Sequence, residues 1–414
     1  MERQNVVISD NLGRALSEAI AREPHDRLFV LTDETTRRLC LPLVAAEACF
    51  KEAQHITIPA GDTAKTLDSL SSVWTELGRM GGTRHSLMVN LGGGMVTDLG
   101  GFAASTFKRG ISYINIPTTL LSMVDASVGG KTGVNFGGLK NEIGVFNNAC
   151  TVILDTQFLA TMDAGNMLSG YAEMLKHGLI SDERMWAELM NYDITSPDLN
   201  RLRQMVAESV AVKERVVEAD PKERGLRKAL NLGHTAGHAF ESLAMRRGTP
   251  VLHGYAVAWG LVCELYLSAV KEGFPTDRMR QTVDFINSHY GRLTITCDDY
   301  DELVELMMHD KKNKAGIINF TLLSSIGGIE LDCTATREEI CAALDFYRDG
   351  CCPISKTKAE CRPAVILFFC PPFSEFKPCE NRDFLKKDGR GRKKRNLRRI
   401  KKHGFFAEKY LRVL

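Results

Sequence analysis

Two histidines one helical turn apart suggest a metal site. The stretch "NLGHTAGHAFE" places His234 and His238 at positions i and i+4, which lie on one face of a helix. A third histidine, His253, opens the next helical stretch, and Glu173 lies in an earlier one. Two histidines and one carboxylate, with a position left open for substrate, are the ligands of many catalytic zinc ions. A lone pair at this spacing also occurs in helices that bind no metal, so the pattern leaves both interpretations open.

Polar side chains crowd the approach to this helix. "RKALNLGH" adds Arg227 and Asn231 just before the first histidine. Burying an arginine, an asparagine and two histidines so close together is costly unless they serve a purpose. Their clustering therefore favours a functional site.

A run of glycines follows an apolar stretch in "VNLGGGMVTDLGG", residues 89–101. A strand ending in Gly92, Gly93 and Gly94, with a helix expected to begin near Thr97, would bring a pyrophosphate close to the backbone and to a helix N-terminus. The G-x-G-x-x-G pattern is not met, because Thr97 stands at its third glycine position. Dinucleotide binding and a plain tight turn both remain open.

Lysines lie in several glycine-rich stretches. "VGGKTG" at 128–133 resembles a phosphate-binding P-loop but has Asp125 where that motif needs glycine. Lys131 and, shortly after it, Lys140 with Asn141 would lie on flexible backbone able to grip an anionic substrate. The alternative is a set of solvated loop lysines, and the same holds for Lys312 in "HDKKNKAGIINF".

The order of apolar runs indicates the fold class. Over residues 1–165, short β-rich runs such as "RLFVLTD" and "SLMVNLGGG" alternate with helical stretches, which predicts an α/β domain with a Rossmann-like, doubly wound parallel sheet. Residues 166–349 change to long amphipathic helices with one hairpin near "GIINFTLLSSIGGIELD", which predicts a mostly α-helical domain. Ligands of such sheets bind beyond the carboxyl ends of the strands.

Charged residues are distributed unevenly along the chain. Residues 351–414 hold 18 Lys and Arg against 6 Asp and Glu, whereas residues 1–350 hold 35 against 45. A basic run of this density predicts a tail over 350–414 without fixed structure. Nucleic acid would be a partner only through this tail. The N-terminus lacks a signal-peptide pattern and no apolar run is long enough to span a bilayer, so we expect a cytoplasmic protein that does not enter membranes.

Eight motifs stand in order over about 250 residues: "IPAGDTAKT", "LGGGMVTDLGGFAAS", "KRGISYINIPTTLLSMVDASVGGKTGVN", "GLKNEIGVF", "SGYAEMLKHG", "LNLGHTAGHAFE", "LHGYAVAWG" and "DKK". Together they resemble the motifs of the 3-dehydroquinate synthase family of sugar-phosphate cyclases. The resemblance covers roughly residues 1–349. It implies a two-domain architecture, NAD and Zn²⁺ as cofactors (Co²⁺ can occupy the same ligands), a sugar-phosphate substrate and a homodimer.

The resemblance also implies roles for individual residues. The zinc ligands would be Glu173, His234 and His253, which leaves His238 to face the substrate. The cofactor-binding residues would be Asp33, Asp62, Lys65, Gly93, Gly94, Met95, Val96, Thr97, Asp98, Thr118, Thr119, Lys131, Lys140, Phe158, Leu159, Ala160 and Thr161.

Further residues would bind and orient the substrate. Its phosphate would be held by Lys131, Asn141 and Lys312, with Arg109 reaching across a dimer interface. Its carboxylate would be held by Lys213 and Arg227. The reacting hydroxyls would be surrounded by Asp125, Lys140, Lys176, Asn231 and His238.

The implied reaction explains why one site needs both a dinucleotide and a metal. The family's substrate is 3-deoxy-D-arabino-heptulosonate 7-phosphate; transient oxidation by NAD acidifies a neighbouring proton, phosphate is eliminated, the hydride is returned, and an intramolecular aldol step closes the ring. Asp62 and Thr97 depart from the family's common glutamate and glycine, which bears on NAD affinity. The alternatives are a related cyclase of the 2-deoxy-scyllo-inosose or valiolone synthase type and a metal-dependent polyol dehydrogenase.

Overall fold

The structure is a computed structural model that describes residues 4–137, 139–308 and 317–350. The basic tail beyond residue 350 and the predicted phosphate ligand Lys312 lie outside these residues. Within the described residues, no helix combines the length and the apolar character needed to cross a membrane.

A six-stranded sheet organises the first half of the chain. All its neighbouring strands run parallel, in the order β1-β8-β5-β4-β2-β3. The strands are β1 Asn5–Ile8, β2 Leu28–Asp33, β3 Gln54–Ile58, β4 Leu87–Gly92, β5 Ser112–Pro117 and β8 Thr151–Leu154. Every residue of β2, β4 and β8 is buried, because helices cover both faces of the sheet. The predicted fold class is confirmed.

Four helices accompany this sheet: α1 Leu12–Arg22, α2 Glu34–Leu39, α3 Leu67–Arg79 and α4 Gly94–Thr106. Helix α4 begins directly after Gly93, three residues earlier than the expected start at Thr97. Its apolar residues are buried nearly all round, because α4 packs between β4, β5 and a separate hairpin.

That hairpin, β6 Lys131–Phe136 with β7 Leu139–Phe146, corrects an expectation. The glycine-rich stretches around Lys131 and Lys140 are paired antiparallel strands and not flexible loops. Glycine lets the backbones of the two strands approach closely here, since a Cβ on Gly144 would lie 2.0 Å from the carbonyl oxygen of Thr132 on the opposite strand. The strand pairing therefore fixes the backbone positions from which the side chains of Lys131 and Lys140 extend.

The second half is mostly helical, as predicted. Its helices are α5 Ala164–Ser181, α6 Glu183–Asn191, α7 Leu199–Ala219, α8 His234–Arg246, α9 His253–Lys271, α10 Thr276–Tyr290, α11 Tyr300–Met308 and α12 Arg337–Asp345. The predicted hairpin is present as β9 Asn319–Ser325 and β10 Gly328–Thr334. Helix α9 is buried along most of its length and packs against α5, α8 and α10. It thereby fixes the helices that carry the candidate metal ligands.

Candidate active site

Three helices bring a carboxylate and two imidazoles together. Glu173 lies in the middle of α5, His234 is the first residue of α8, and His253 is the first residue of α9. One ligand atom from each lies within 4.8 Å of the others. Both histidines turn Nε2 toward the same Glu173 oxygen, at 3.5 Å. The arrangement matches the two-histidine, one-carboxylate set of catalytic metal sites.

A glycine and a buried acid set the start of α8. Gly233 has φ of 79°, and a Cβ on it would lie 2.8 Å from Leu261 on α9. The Glu264 carboxylate, fully buried on α9, accepts the backbone N–H groups of Gly233 at 2.6 Å and of Ala236 at 3.1 Å. These contacts satisfy amides that a helix N-terminus leaves without intrahelical partners. They also fix His234 relative to α9.

The Glu173 carboxylate is suited to hold a cation. Both oxygens are buried and, among the described residues, neither accepts a hydrogen bond of good geometry, although the Lys176 ammonium lies against one of them. Burial alone would raise the pKa of Glu173, but Lys176 and His234 hold it well below its ordinary value. Glu173 is therefore ionised with unused acceptor capacity, as a metal ligand must be.

The neighbouring imidazoles divide into two roles. Burial alone would lower the pKa of His253, but Glu173 and Glu241 raise it to about 10, so the pocket favours positive charge at this ring. A pocket that favours a proton on this ring also favours a metal ion, because both bind the lone pair of a ring nitrogen. His238 has its ring centroid 5.3 Å from that of His234 and 5.9 Å from that of His253, next to the trio but outside the group of close ligand atoms. Residues Glu173, His234 and His253 thus fit a divalent cation.

The residues predicted to bind a dinucleotide follow successive strands of the sheet. Asp33 ends β2, Asp62 follows β3, Gly93 and Gly94 follow β4, Thr118 and Thr119 follow β5, and residues 158–161 follow β8. Because the sheet is parallel, these five segments share its carboxyl edge, where such folds bind ligands. The first amides of α4 (Gly94, Met95 and Val96) lie at that edge, at a helix N-terminus suited to a phosphate.

The glycine turn and the metal trio are close neighbours. A Cβ on Gly94 would lie 3.2 Å from the Cβ of Ala126. The residue before it, Asp125, has a carboxylate oxygen within 4.8 Å of the nearest Glu173 oxygen. Asp125 and Glu173 also form a close group with His177, but Lys213 and Lys176 already supply positive charge to these carboxylates. We therefore assign no second ion there.

Every predicted lysine of the site that the structure describes faces a carboxylate. Lys213 donates to Asp125 at 2.6 Å, and Lys140 donates to Glu241 at 2.6 Å and contacts Asp62 at 3.2 Å. The remaining pairs are Lys131 with Glu223, Lys176 with Glu173, and Lys65 with Asp98. Lys65 also donates to Asn141, which connects the turn after β3 with β7. The described lysines of the site are therefore all compensated by carboxylates of the protein itself.

Two arginines differ in their surroundings. Arg227 is buried and donates to the carbonyl oxygens of Pro221, at 2.9 Å, and Gly129, at 3.1 Å, which links the helical half to the turn before β6. Arg109 is exposed, with φ of 72°, in the turn after α4. No hydrogen bond or ion pair joins the Arg109 side chain to the rest of the site within the described residues.

Two acids of the site are missed by sequence reasoning. Glu241 contacts Nδ1 of His253 at 3.3 Å, and Glu223 contacts Lys131 while accepting a hydrogen bond from Asn231 at 3.0 Å. Glu241 has a usable signal, because it follows His234 and His238 at i+7 and i+3 on one helical face. Glu223 lies in a polar turn with φ of 56°, and nothing in its neighbourhood marks it.

The fold and the metal trio match the architecture of the dehydroquinate-synthase-like sugar-phosphate cyclases. The fold is similar to that of ValA, a 2-epi-5-epi-valiolone synthase from Streptomyces hygroscopicus solved with NAD⁺ and Zn²⁺ bound, with a TM-score of 0.74 and 26% identity over 84% of this chain and 97% of that one. It is also similar to that of a 2-deoxy-scyllo-inosose synthase solved with carbaglucose-6-phosphate, NAD⁺ and Co²⁺, with a TM-score of 0.72 and 22% identity over 83% and 96% of the two chains.

Sequence comparison narrows this class to one family. The family model for the 3-dehydroquinate synthase N-terminal region matches residues 55–169, and that for the C-terminal region matches residues 170–313. A 3-dehydroquinate synthase from Parabacteroides distasonis is 52% identical over 84% of this chain and 99% of its own length. One from Oceanobacillus iheyensis is 35% identical over 82% and 95%. The chain belongs to the 3-dehydroquinate synthase family.

Proposed function

We propose that this protein converts 3-deoxy-D-arabino-heptulosonate 7-phosphate into 3-dehydroquinate and phosphate, with NAD and one divalent metal ion as cofactors. The observation that carries the proposal is the closeness of Glu173, His234 and His253 to the glycine turn, through Asp125 and Ala126. When bound, NAD would accept and later return a hydride at one carbinol carbon, and a zinc or cobalt ion would polarise the oxygen on that carbon. Relatives named for this activity and ValA, solved with NAD⁺ and Zn²⁺, support the assignment.

Cationic and amide side chains of the site would bind the two ends of the substrate. Lys131, Asn141 and Lys312 would hold the phosphate, and Lys213 with Arg227 would hold the carboxylate. Each described lysine of the site has an internal carboxylate partner, so the substrate anions would replace interactions that the protein already makes. This exchange lowers the cost of desolvating the cations and orients the substrate at both ends.

Polar groups near the metal would act on the hydroxyls between those ends. His238, half-buried beside the two histidine ligands, can exchange a proton with a hydroxyl, and Asn231 can orient it. Asp125, Lys140 and Lys176 would complete the surroundings. Elimination of phosphate needs water kept from the reactive intermediates, and the deep burial of Glu173, Lys176 and Lys213 shows that this part of the site is shielded from solvent.

We also propose which residues bind NAD and where the boundary between the two domains lies. The turns at the carboxyl edge would hold NAD: Asp33, the Asp62–Lys65 turn, Gly93 to Asp98, Thr118, Thr119 and residues 158–161. Lys131 and Lys140 would reach it from the hairpin. We place the boundary between the NAD-binding and helical domains near residue 165, supported by the change of family model between residues 169 and 170.

A second copy of this chain would cover the β6–β7 hairpin. Four apolar side chains of the hairpin (Phe136, Leu139, Val145 and Phe146) are between 37% and 58% exposed, more than an isolated surface should leave open. Arg109 lies in the exposed turn after α4, the helix against which β6 packs, and would reach the phosphate site of the partner copy. We place the dimer in the cytoplasm, where its metabolite substrate would be made.

The activity is tested by supplying the heptulosonate phosphate with far less NAD than substrate and following phosphate release. We expect many turnovers per NAD, no accumulation of NADH, and complete loss of activity on chelation with recovery on adding Zn²⁺ or Co²⁺. Accumulation of NADH in proportion to product would instead indicate a polyol dehydrogenase. Turnover of a heptulose 7-phosphate lacking the carboxylate, in preference to the heptulosonate, would indicate one of the related cyclases.

A further inference from the structure

Glu241 lies on the same face of α8 as His234 and His238, one turn further from the helix start. Its side chain is 9% exposed, so its charge must be compensated inside the protein. The two carboxylate oxygens point to different partners on different segments. Glu241 therefore contacts two parts of the site at once.

One oxygen of Glu241 faces the metal trio. Oε2 lies 3.3 Å from Nδ1 of His253, and Nε2 on the other side of that ring is directed toward Glu173. A proton on Nδ1 donated to Glu241 leaves the Nε2 lone pair free for a metal ion. The two histidines differ in this respect, because Nδ1 of His234 faces the carbonyl oxygen of Leu232 at 3.1 Å. A side-chain substitution can thus remove the orienting partner of His253 but not that of His234.

The other oxygen of Glu241 faces the hairpin. Oε1 accepts from the Lys140 ammonium at 2.6 Å, and the same ammonium lies 3.2 Å from Asp62 in the turn after β3. Lys140 keeps the Glu241 charge compensated, and Asp62 helps to hold Lys140 in place. The carboxylate is fixed from both sides.

We propose that Glu241 is a positioning residue that holds His253 in the orientation and tautomer needed to bind the metal, and is itself held by Lys140. The inference deepens the proposed function, since it concerns the metal site of that reaction. A carboxylate behind a histidine ligand typically strengthens metal binding by 10- to 100-fold.

The test compares Glu241→Gln and Glu241→Ala with a matched control, Glu339→Gln. Glu339 also forms a shielded pair with a lysine, contacting Lys271 at 2.8 Å with its side chain 14% exposed, and belongs to α12. Co²⁺ affinity is measured by competition with a chelator, and the visible absorption of the bound Co²⁺ reports its ligand geometry. Glu241→Gln keeps the shape of the side chain and protects the test against a misfolded alanine variant.

We expect Co²⁺ to bind Glu241→Gln and Glu241→Ala about 10- to 100-fold more weakly, with shifted absorption bands, and Glu339→Gln to match the parent protein. Affinity within twofold of the parent and an unchanged spectrum in Glu241→Gln would overturn the proposal. Failure of the parent to bind Co²⁺ would overturn the metal site and this inference together. Normal Co²⁺ binding without formation of dehydroquinate would overturn only the proposed reaction and leave Glu241 to be decided by the affinities.

Discussion

Lys213, on α7, donates its ammonium protons to Asp125, in the turn that follows β5 and precedes the hairpin. Lys213 is buried, and burial lowers its pKa, whereas Asp125 is partly shielded. Burial alone would raise the pKa of Asp125, but Lys213 holds it below its ordinary value. The pair joins the helical half of the molecule to the edge of the sheet, next to Glu173.

Replacing Lys213 by methionine removes the cation and nearly keeps the volume. We expect the pKa of Asp125 to rise, so that Asp125 is protonated at a higher pH and the acid limb of kcat/KM moves to higher pH. We also expect kcat/KM to fall on the order of 10²-fold at neutral pH. The pH profile of the variant is measured beside that of Lys271→Met, a remote lysine that pairs with Glu339. An acid limb that stays where it is in the parent would show that Lys213 does not control Asp125.

Two asparagine substitutions distinguish a histidine that binds the metal from the histidine that lies beside the metal site. His253→Asn removes a member of the close trio, whereas His238→Asn removes a ring that lies beside it. We expect His253→Asn to lose stoichiometric zinc after dialysis and His238→Asn to keep one zinc per chain, with both variants at least 10²-fold less active. Metal analysis of the dialysed proteins decides the matter. Loss of zinc from His238→Asn with retention in His253→Asn would reverse the assignment.

A buried neutral histidine makes stability depend on pH. His177 is fully buried with Nδ1 2.7 Å from Ser209 Oγ, and burial lowers its pKa to about 3. Between pH 6.5 and 3 the unfolded chain binds a proton that the folded chain does not, so stability falls as pH falls. We expect the parent to lose about 2 kcal/mol more than His177→Asn between pH 7 and pH 5. Urea unfolding with a chelator present measures both proteins, and equal losses would mean that His177 titrates normally when folded.

Two left-handed glycines flank α8 and form a matched pair. Gly233, before the helix, has φ of 79°, and a Cβ added there would meet Leu261 at 2.8 Å, whereas Gly248, after the helix, has φ of 71° and open space where its Cβ would lie. We expect Gly248→Ala to cost about 1 kcal/mol of stability and to bind metal normally. Gly233→Ala should cost more and weaken Co²⁺ binding, because His234 follows it directly. Equal effects on stability and metal affinity would show that only the backbone angle matters at both positions.

The elements that depend on local pattern could be predicted from sequence. Strands β2 and β4 are apolar throughout because both faces are covered, and the helices and last hairpin of the second half follow from apolar periodicity. The β6–β7 hairpin could not, since its glycines indicate loops until their cross-strand approach is seen. Whether His238 or His253 joins Glu173 as a candidate metal ligand depends on how α5, α8 and α9 pack. The spacing of residues within one helix carries no information about that packing. Glu223 depends on a turn geometry that no neighbouring residue signals.

The exposed hairpin predicts the state of association. Phe136 is 52% exposed and Leu139 is 58% exposed, and burying what remains exposed against a second copy would be favourable by about 1 to 1.5 kcal/mol for each side chain. We expect the double variant Phe136→Glu with Leu139→Glu to sediment as a monomer at micromolar concentration. Met245, 49% exposed at the far end of α8, is the control, and Met245→Glu should remain a dimer.

Because Arg109 would serve the partner's phosphate site, the monomeric variant should also raise KM for the phosphate substrate more than it changes Co²⁺ affinity. A parent protein that sediments as a monomer would contradict the interface, and a monomeric variant with unchanged KM would place Arg109 outside the partner's site.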